Sequence, residues 1–561
     1  MQAKLEKKFP GVVCSAFGDS VRLEGELTDW DEIVRCGKRA AKAGFRAVIN
    51  DITLKGFVPP PMRTPALQDN ALAEQTPDVL IIGGGVIGCA IARELRRWAL
   101  DVLLIDKEDD VAMHASSRND GMIHPGIASH VGTLRGLYNV RGNAMYTQLC
   151  QELHVPFERW SNLILYSDPI FGVGARFYLG YRQKAFGIPG WHVSRRRLQE
   201  LEPNIAQGIR GGFEYPTSGM LSPYKLTVAL ADCAVENGAR VSLNTVVTAM
   251  DVKGTAITAV HTNRGTLRPR VVINAAGCFS DTVAGMAGDR FFSIHPRKGE
   301  CCILDKEAGP LSQRSMGLVG LAAMSATSKG GGIMRTIDGN VLVGPDAYEQ
   351  PLREDFSTHK EHIDAVLDKH LKLIRGFHRG QVITYFAGVR AATYEEEFIV
   401  EGSARVQNLV HAAGIQSPGL ASAPAIAEEI AKITLGRLGG QILPNERFNP
   451  VRTAAPVLAK LSLEEKQKVI ADNPEYGVVV CRCEGISRGE IRAAVQAPVP
   501  ATSIDAVKRR VRPGMGRCQG GFCSPLVAEI LAEEGVETIT KKGAGSELFV
   551  GTDGKEGADH A

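Results

Sequence analysis

An apolar run, Val79-Leu-Ile-Ile82, passes directly into Gly83-Gly84-Gly85-Val-Ile-Gly88 and then into a helical pattern that continues to about Trp98. A strand with no polar alternation belongs in a parallel sheet covered on both faces. Each glycine has a task in the turn that follows. Gly83 permits the tight bend, Gly85 lets the backbone approach a pyrophosphate, and Gly88 lets the helix pack closely on the strand. The helix N-terminus then offers N–H groups and the positive end of its dipole to the phosphates. A second apolar strand, Asp101-Val-Leu-Leu-Ile-Asp106, ends in a carboxylate where ribose hydroxyls are bound. Strand, turn, helix and acid in this order predict a dinucleotide-binding α/β domain.

The last hundred residues add two tight cysteine pairs, Cys481-Arg-Cys483 and Cys518-Gln-Gly-Gly-Phe-Cys523. Residues two apart on an extended segment point to the same side, so Cys481 and Cys483 can present two sulfurs to one inorganic centre. Gly520 and Gly521 let the second loop fold tightly and bring backbone N–H groups near bridging sulfides. Lys508, Arg509, Arg510, Arg512 and Arg517 are expected to offset the negative charge of such a centre. Four cysteines in this setting fit a [2Fe-2S] cluster. A structural zinc site also uses four cysteines, although its pairs usually sit about two to four residues apart, and disulfides are a third reading.

The chain has 561 residues, room for two to four domains, and its net charge of +3 is too small to suggest nucleic acid as a partner. No apolar stretch reaches the roughly 18 to 20 residues needed to cross a bilayer, so membrane contact is expected only through a partner. The N-terminal Met-Gln-Ala-Lys-Leu-Glu-Lys-Lys has no apolar run behind it, which argues against a secretory signal and for the cytoplasm. The other eight cysteines (14, 36, 89, 150, 233, 278, 301 and 302) are scattered and suggest no disulfide framework.

Composition shifts divide the chain. Residues 1–58 read as a small α/β module, with alternating Val21-Arg-Leu23-Glu-Gly, a helix from about Asp29 to Ala43 and a strand over Ala47 to Leu54. Residues 59–77, opening with Pro59-Pro60-Pro61, make an extended semi-rigid linker. Residues 78–442 keep an α/β character, 443–477 form a connector with a helix near Leu461 to Asp472, 478–540 carry the cysteines, and 541–561 read as a flexible polar tail. The chain shows no internal repeats.

Several stretches resemble known families. Residues 12–58 are similar to BON-like modules, which bind membranes or other proteins. Val507 to Cys523 closely matches the ferredoxin-like domain, related to bacterioferritin-associated ferredoxin, of the large subunit of anaerobic glycerol-3-phosphate dehydrogenases. Ser116-Ser-Arg-Asn-Asp-Gly-Met-Ile-His124-Pro-Gly126 resembles the loop beside the flavin ring in those enzymes and in L-2-hydroxyglutarate dehydrogenases. Val271 to Gly277 and Leu409 to Leu420 resemble the later strands that return to the FAD domain. The implied architecture is a glutathione-reductase-type FAD domain with an inserted antiparallel-sheet substrate domain, drawn from Trp191 to Tyr224 and Phe291 to Asp346, between the N-terminal module and a BFD-like [2Fe-2S] domain.

The resemblance implies FAD held by Gly83, Gly85, Val86, Ile87, Gly88, Asp106, Lys107, Ser116, Ser117, Asn119, Gly121, Ala276, Gly277, Gly414, Ser417, Pro418, Gly419 and Leu420. The helix Ala421 to Leu435 would direct its N-terminus at the flavin's pyrimidine edge, where its dipole stabilises negative charge. Cys481, Cys483, Cys518 and Cys523 would hold the cluster. Arg390 aligns with the arginine that faces substrate, and a guanidinium can grip a carboxylate or phosphate. His124 is the candidate base and His295 the reserve. Two departures bear on substrate: Cys301 replaces the tyrosine that often follows Lys-Gly-Glu, and Gly126-Ile-Ala-Ser replaces a stretch in which glycerol-3-phosphate dehydrogenases often carry Arg-Tyr.

The expected function is therefore an FAD-dependent dehydrogenase of a small anionic hydroxy compound, either glycerol 3-phosphate or an L-2-hydroxy acid. Electrons would leave through the [2Fe-2S] cluster to a partner subunit or carrier, in an oligomer peripheral to the inner membrane through that partner. An amine or amino-acid dehydrogenase of the same fold, or a non-catalytic electron-transfer subunit, are the competing readings.

Overall fold

A computed structural model describes residues 5, 7–127, 129–318, 330–537 and 539–542. Of the tail expected at 541–561, the part beyond 542 lies outside the described residues. The apolar Val79–Ile82 strand sits at the centre of a six-stranded sheet, between Val102–Ile105 and Val271–Asn274. All pairings in this sheet are parallel except that of the edge strand Ile399–Gly402 with Leu409–Ala413. Alternate residues of the central strand point to opposite faces. Val79 and Ile81 pack with the helices Val86–Leu95, Pro223–Glu236 and Gly419–Leu438, whereas Leu80 and Ile82 pack with a three-stranded sheet spanning Val247–Leu267.

The inserted domain is a nine-stranded sheet built around the long antiparallel pair Ile294–Leu304 and Val382–Thr393. It is not wholly antiparallel, because Ser315–Leu318 runs parallel to Asn162–Tyr166. The helix Pro169–Phe186 follows that second strand.

The N-terminal module pairs Val13–Phe17 antiparallel and Val48–Leu54 parallel with Ser20–Leu27, with the helix Trp30–Ala41 between the last two. Its core includes Tyr394 from the inserted domain, and Lys38 pairs with Glu349 at 2.8 Å, so the module is docked on that domain. The proline-rich segment is likewise strapped down: Asp69 pairs with Arg264 at 2.9 Å and Leu72 is buried.

Near the C-terminus, the helices Arg488–Val495, Ile504–Val511 and Ser524–Glu533 close a small core around Ile491, Val507 and Leu531. The basic run here corrects an expectation. Arg509 and Arg510 pair with Asp110 at 2.8 and 2.9 Å, Arg512 with Asp338 and Glu484 at 2.8 and 3.0 Å, and Arg517 with Asp305 at 2.9 Å. These arginines are occupied chiefly in fastening the cysteine domain to the other two, since each has a carboxylate at contact distance. Among the described residues, no helix is long and apolar enough to cross a membrane.

Candidate active site

A cavity of about 770 Å³ opens between the parallel sheet and the inserted domain. The glycine turn supplies Gly83, Gly85, Val86 and Ile87 to its wall, and the next strand supplies Asp106 and Lys107. The turn has no room for larger residues. A Cβ on Gly83 would lie 2.3 Å from the carbonyl of Ala275, and one on Gly88 would lie 1.9 Å from the carbonyl of Gly83. Gly88 therefore shapes the wall from behind and does not line the cavity.

Asp106 accepts hydrogen bonds from the backbone N–H groups of Gly84 and Glu108, and burial raises its pKa. Ser116 and Asn119 also face the cavity, and Ser116 Oγ accepts from the Val86 N–H at 2.9 Å. Ser117 and Gly121 do not. Ser117 Oγ donates to the His114 carbonyl, while Gly121, at φ +71°, gives its N–H to Asn119 Oδ1 and packs on the Leu221 carbonyl. Ala276 and Gly277 line the far side, together with Ser417, Pro418, Gly419 and Leu420 at the start of the Gly419–Leu438 helix. Gly414 stands back from the wall, with φ +63° and Thr393 against it.

His124 and Arg390 come to this same cavity from different domains. The backbone carbonyl of His124 accepts from Asn139 Nδ2 at 2.7 Å and Asn143 Nδ2 at 2.9 Å, which anchors its loop on the helix Leu134–Glu152. Arg390 lies across from Arg297 on neighbouring strands, but the two differ in their partners. Arg297 is clamped by Glu349 and Glu396. Arg390 donates to the carbonyls of Lys298 and Asp346 at 3.3 and 3.4 Å, and among the described residues no carboxylate forms an ion pair with it. Burial lowers its pKa, opposed by Cys301 and by Asp120 nearby. Gly299 makes its space, since a Cβ there would be 2.5 Å from Arg390 Nη2.

His295, the reserve base, is corrected to a structural role. It is fully buried, with Nδ1 2.8 Å from Glu349 and Nε2 3.2 Å from the Thr393 carbonyl, and it does not line the cavity. Cys301 is buried at the inner side of the sheet.

Some cavity residues gave no earlier signal. Arg135 donates to the carbonyls of Glu396 and Ser417 at 2.7 and 2.6 Å, and Gln416 bridges Arg297 and Glu396. This network braces the turn before the Gly419–Leu438 helix. The run Glu395-Glu396-Glu397 is visible in the sequence, and its separate uses are not: Glu397 caps the Leu134–Glu152 helix, whereas Glu396 pairs with Arg297.

At the other site, Cys481 Sγ lies 3.8 Å from Cys483 Sγ, which lies 3.9 Å from Cys518 Sγ. Hydrogen bonding from Cys523, then from the backbone N–H groups of Gly514 and Glu484, brings the Cys481 thiol down to about 5. The N–H groups of Phe522 and Gly520 lower that of Cys518. Close sulfurs ringed by backbone donors fit an anionic metal–thiolate centre. Cys481 and Cys523 are buried, and Cys483 and Cys518 are exposed.

Residues 78–433 match the family of FAD dependent oxidoreductases, and residues 479–533 match the BFD-like [2Fe-2S] binding domain. The chain is 39% identical to a glycerol 3-phosphate dehydrogenase of Caloramator mitchellensis, over 84% of this chain and 98% of that one. It is 25% identical to subunit A1 of the anaerobic glycerol-3-phosphate dehydrogenase of Haloferax volcanii, over 82% and 83% of the two chains. The solved FAD-bound L-α-glycerophosphate oxidase of Mycoplasma pneumoniae superposes with a TM-score of 0.63 at 25% identity, covering 68% of this chain and all of that one. The chain belongs to the FAD dependent oxidoreductases and carries a BFD-like [2Fe-2S] domain at its C-terminal end.

Proposed function

We propose that this chain oxidises glycerol 3-phosphate at its secondary hydroxyl and delivers the electrons, through the [2Fe-2S] cluster, to a partner subunit or carrier. The observation that carries this reading is Arg390, a part-buried guanidinium on the cavity wall with no carboxylate ion-paired to it among the described residues, in the same cavity as His124. A cation drawn partly out of water with no ion pair of its own is stabilised by an anion that completes it. Relatives named for glycerol 3-phosphate make its phosphate the first anion to try.

Bound FAD supplies the hydride acceptor for the oxidation. The N–H groups of the Gly83 to Ile87 turn would hold its pyrophosphate, with Asp106 and Lys107 on the ribose side, Ser116 and Asn119 along the loop, and Ala276, Gly277 and Ser417 to Leu420 at the ring end. Gly88, Ser117, Gly121 and Gly414 would act by shaping these turns. Arg390 would grip the phosphate and fix the reacting carbon, while an imidazole nitrogen of His124 takes the hydroxyl proton. The inserted domain walls the side of the cavity that carries Arg390 and Met334.

The exposed Cys483 and Cys518 edge is the exit for electrons, so the acceptor docks there, and any association with the membrane that this acceptor provides is indirect. The test is anaerobic flavin bleaching across a panel of glycerol 3-phosphate, L-2-hydroxyglutarate, glycine and sarcosine. Fastest bleaching by glycerol 3-phosphate is expected. Bleaching only by an amine, with ammonia or an imine formed, would replace this reading with an amine dehydrogenase.

A further inference from the structure

The helix Pro169–Phe186 is apolar on two opposite faces. Its inner residues Ala175 and Leu179, with the more exposed Tyr178 at their margin, close one side of the active-site cavity. On the outer side Ile170, Val173, Phe177 and Tyr181 recur at one helical stripe and are 84%, 61%, 77% and 62% exposed. Trp191, half-exposed, is a further large apolar side chain on the edge strand Trp191–Ser194 that follows the helix in the chain. An apolar stripe on the outer face of a helix, in addition to its inner one, calls for a partner, and no described residue covers the outer stripe. A patch of this kind marks an interaction site.

Charge indicates what covers it. From Pro169 to Gln199 the sequence contains no Asp or Glu, but it contains Arg176, Arg182, Lys184, Arg195, Arg196 and Arg197. Arg176 and Lys184 are exposed on the helix itself. Arg182 is turned inward to Tyr178, and Arg196 and Arg197 lie within reach of Glu200, so the helix pair counts most. Pairing this stripe with a second copy of itself would bring like charges together. Anionic headgroups would neutralise them while the aromatic rings sit at the polar–apolar boundary.

We infer that this helix seats the chain directly on an anionic lipid surface, lying in the interface plane with Phe177 and Ile170 inserted. The contact is independent of the substrate reading and adds to any attachment through a partner. Because the inner face of the same helix walls the active site, the seated enzyme would present that wall to the membrane.

The test uses the full-length holoprotein and cosedimentation with vesicles of phosphatidylcholine alone or with about 30% phosphatidylglycerol. Binding is expected to the mixed vesicles and to be weak on phosphatidylcholine alone. The double variant I170S/F177S should lower partitioning about tenfold or more, with flavin content and turnover of a soluble acceptor unchanged. A second pair, R176E/K184E, should abolish the preference for phosphatidylglycerol. Vesicle binding that survives both pairs, or equal binding to both vesicle types, would overturn the inference. So would a wild-type protein that ignores vesicles and self-associates through this stripe, recognised by I170S/F177S becoming smaller in light scattering.

Discussion

Arg297 and Arg390 stand side by side on paired strands, and only Arg390 keeps its charge available. Replacing Arg390 with alanine should therefore lower kcat/KM by roughly a thousandfold, in line with the loss of about 2 to 5 kcal/mol when a buried charge loses its partner. FAD stoichiometry should stay unchanged, and a variant that loses FAD as well would return Arg390 to a structural role. His124→Gln, which would remove the proposed proton acceptor, should lower kcat by about 10² to 10⁴ while substrate still binds, measured by single-turnover flavin reduction. A separate residue governs acid stability. His370 is buried with Nε2 3.2 Å from the Gly330 carbonyl, and burial, reinforced by Lys369, lowers its pKa from 6.5 to about 4. The folded state thus favours the neutral ring. Its contribution is present above about pH 6.5 and is lost as pH falls toward about 4, by at most about 3 kcal/mol. Thermal unfolding across that range should show a shallower acid decline for His370→Gln than for the parent protein, and parallel declines would refute the assignment.

At the scale of elements, the paired strands Ile294–Leu304 and Val382–Thr393 set the active site through two facing glycines, Gly299 and Gly388. Gly299 opens room for Arg390, and Gly388 admits the Arg118 carbonyl of the flavin-side loop. Gly299→Ala should raise KM through a displaced Arg390 and leave FAD bound, whereas Gly88→Ala, whose Cβ meets the Gly83 carbonyl, should abolish FAD binding; measured flavin content separates the two. The contrast explains what could be read without coordinates. The Gly83 to Gly88 turn was legible because every contact it needs lies within one strand–turn–helix unit. The placement of His295 was not, because its partner Glu349 arrives from 54 residues away. The parallel contact of Ser315–Leu318 with Asn162–Tyr166, and the cavity-facing helix that follows, also depend on long-range pairing that no local pattern records.

For the molecule as a whole, electron flow depends on how the cysteine domain is held. Its arginines were visible as a run, but their partner Asp110 lies about 400 residues earlier, which is why local reading assigned them to the cluster's charge. The pairing counts because it is buried, with Asp110 only 1% exposed. Arg510→Glu should loosen the domain, slowing transfer to a one-electron acceptor while substrate reduces the flavin at the parental rate. The most direct test of the account mixes the full-length protein anaerobically with glycerol 3-phosphate and follows flavin absorbance and the cluster's electron paramagnetic resonance in one time course. The account predicts that flavin bleaching comes first and a reduced [2Fe-2S] signal follows. A flavin that bleaches while the cluster stays oxidised until an external reductant is added would contradict it.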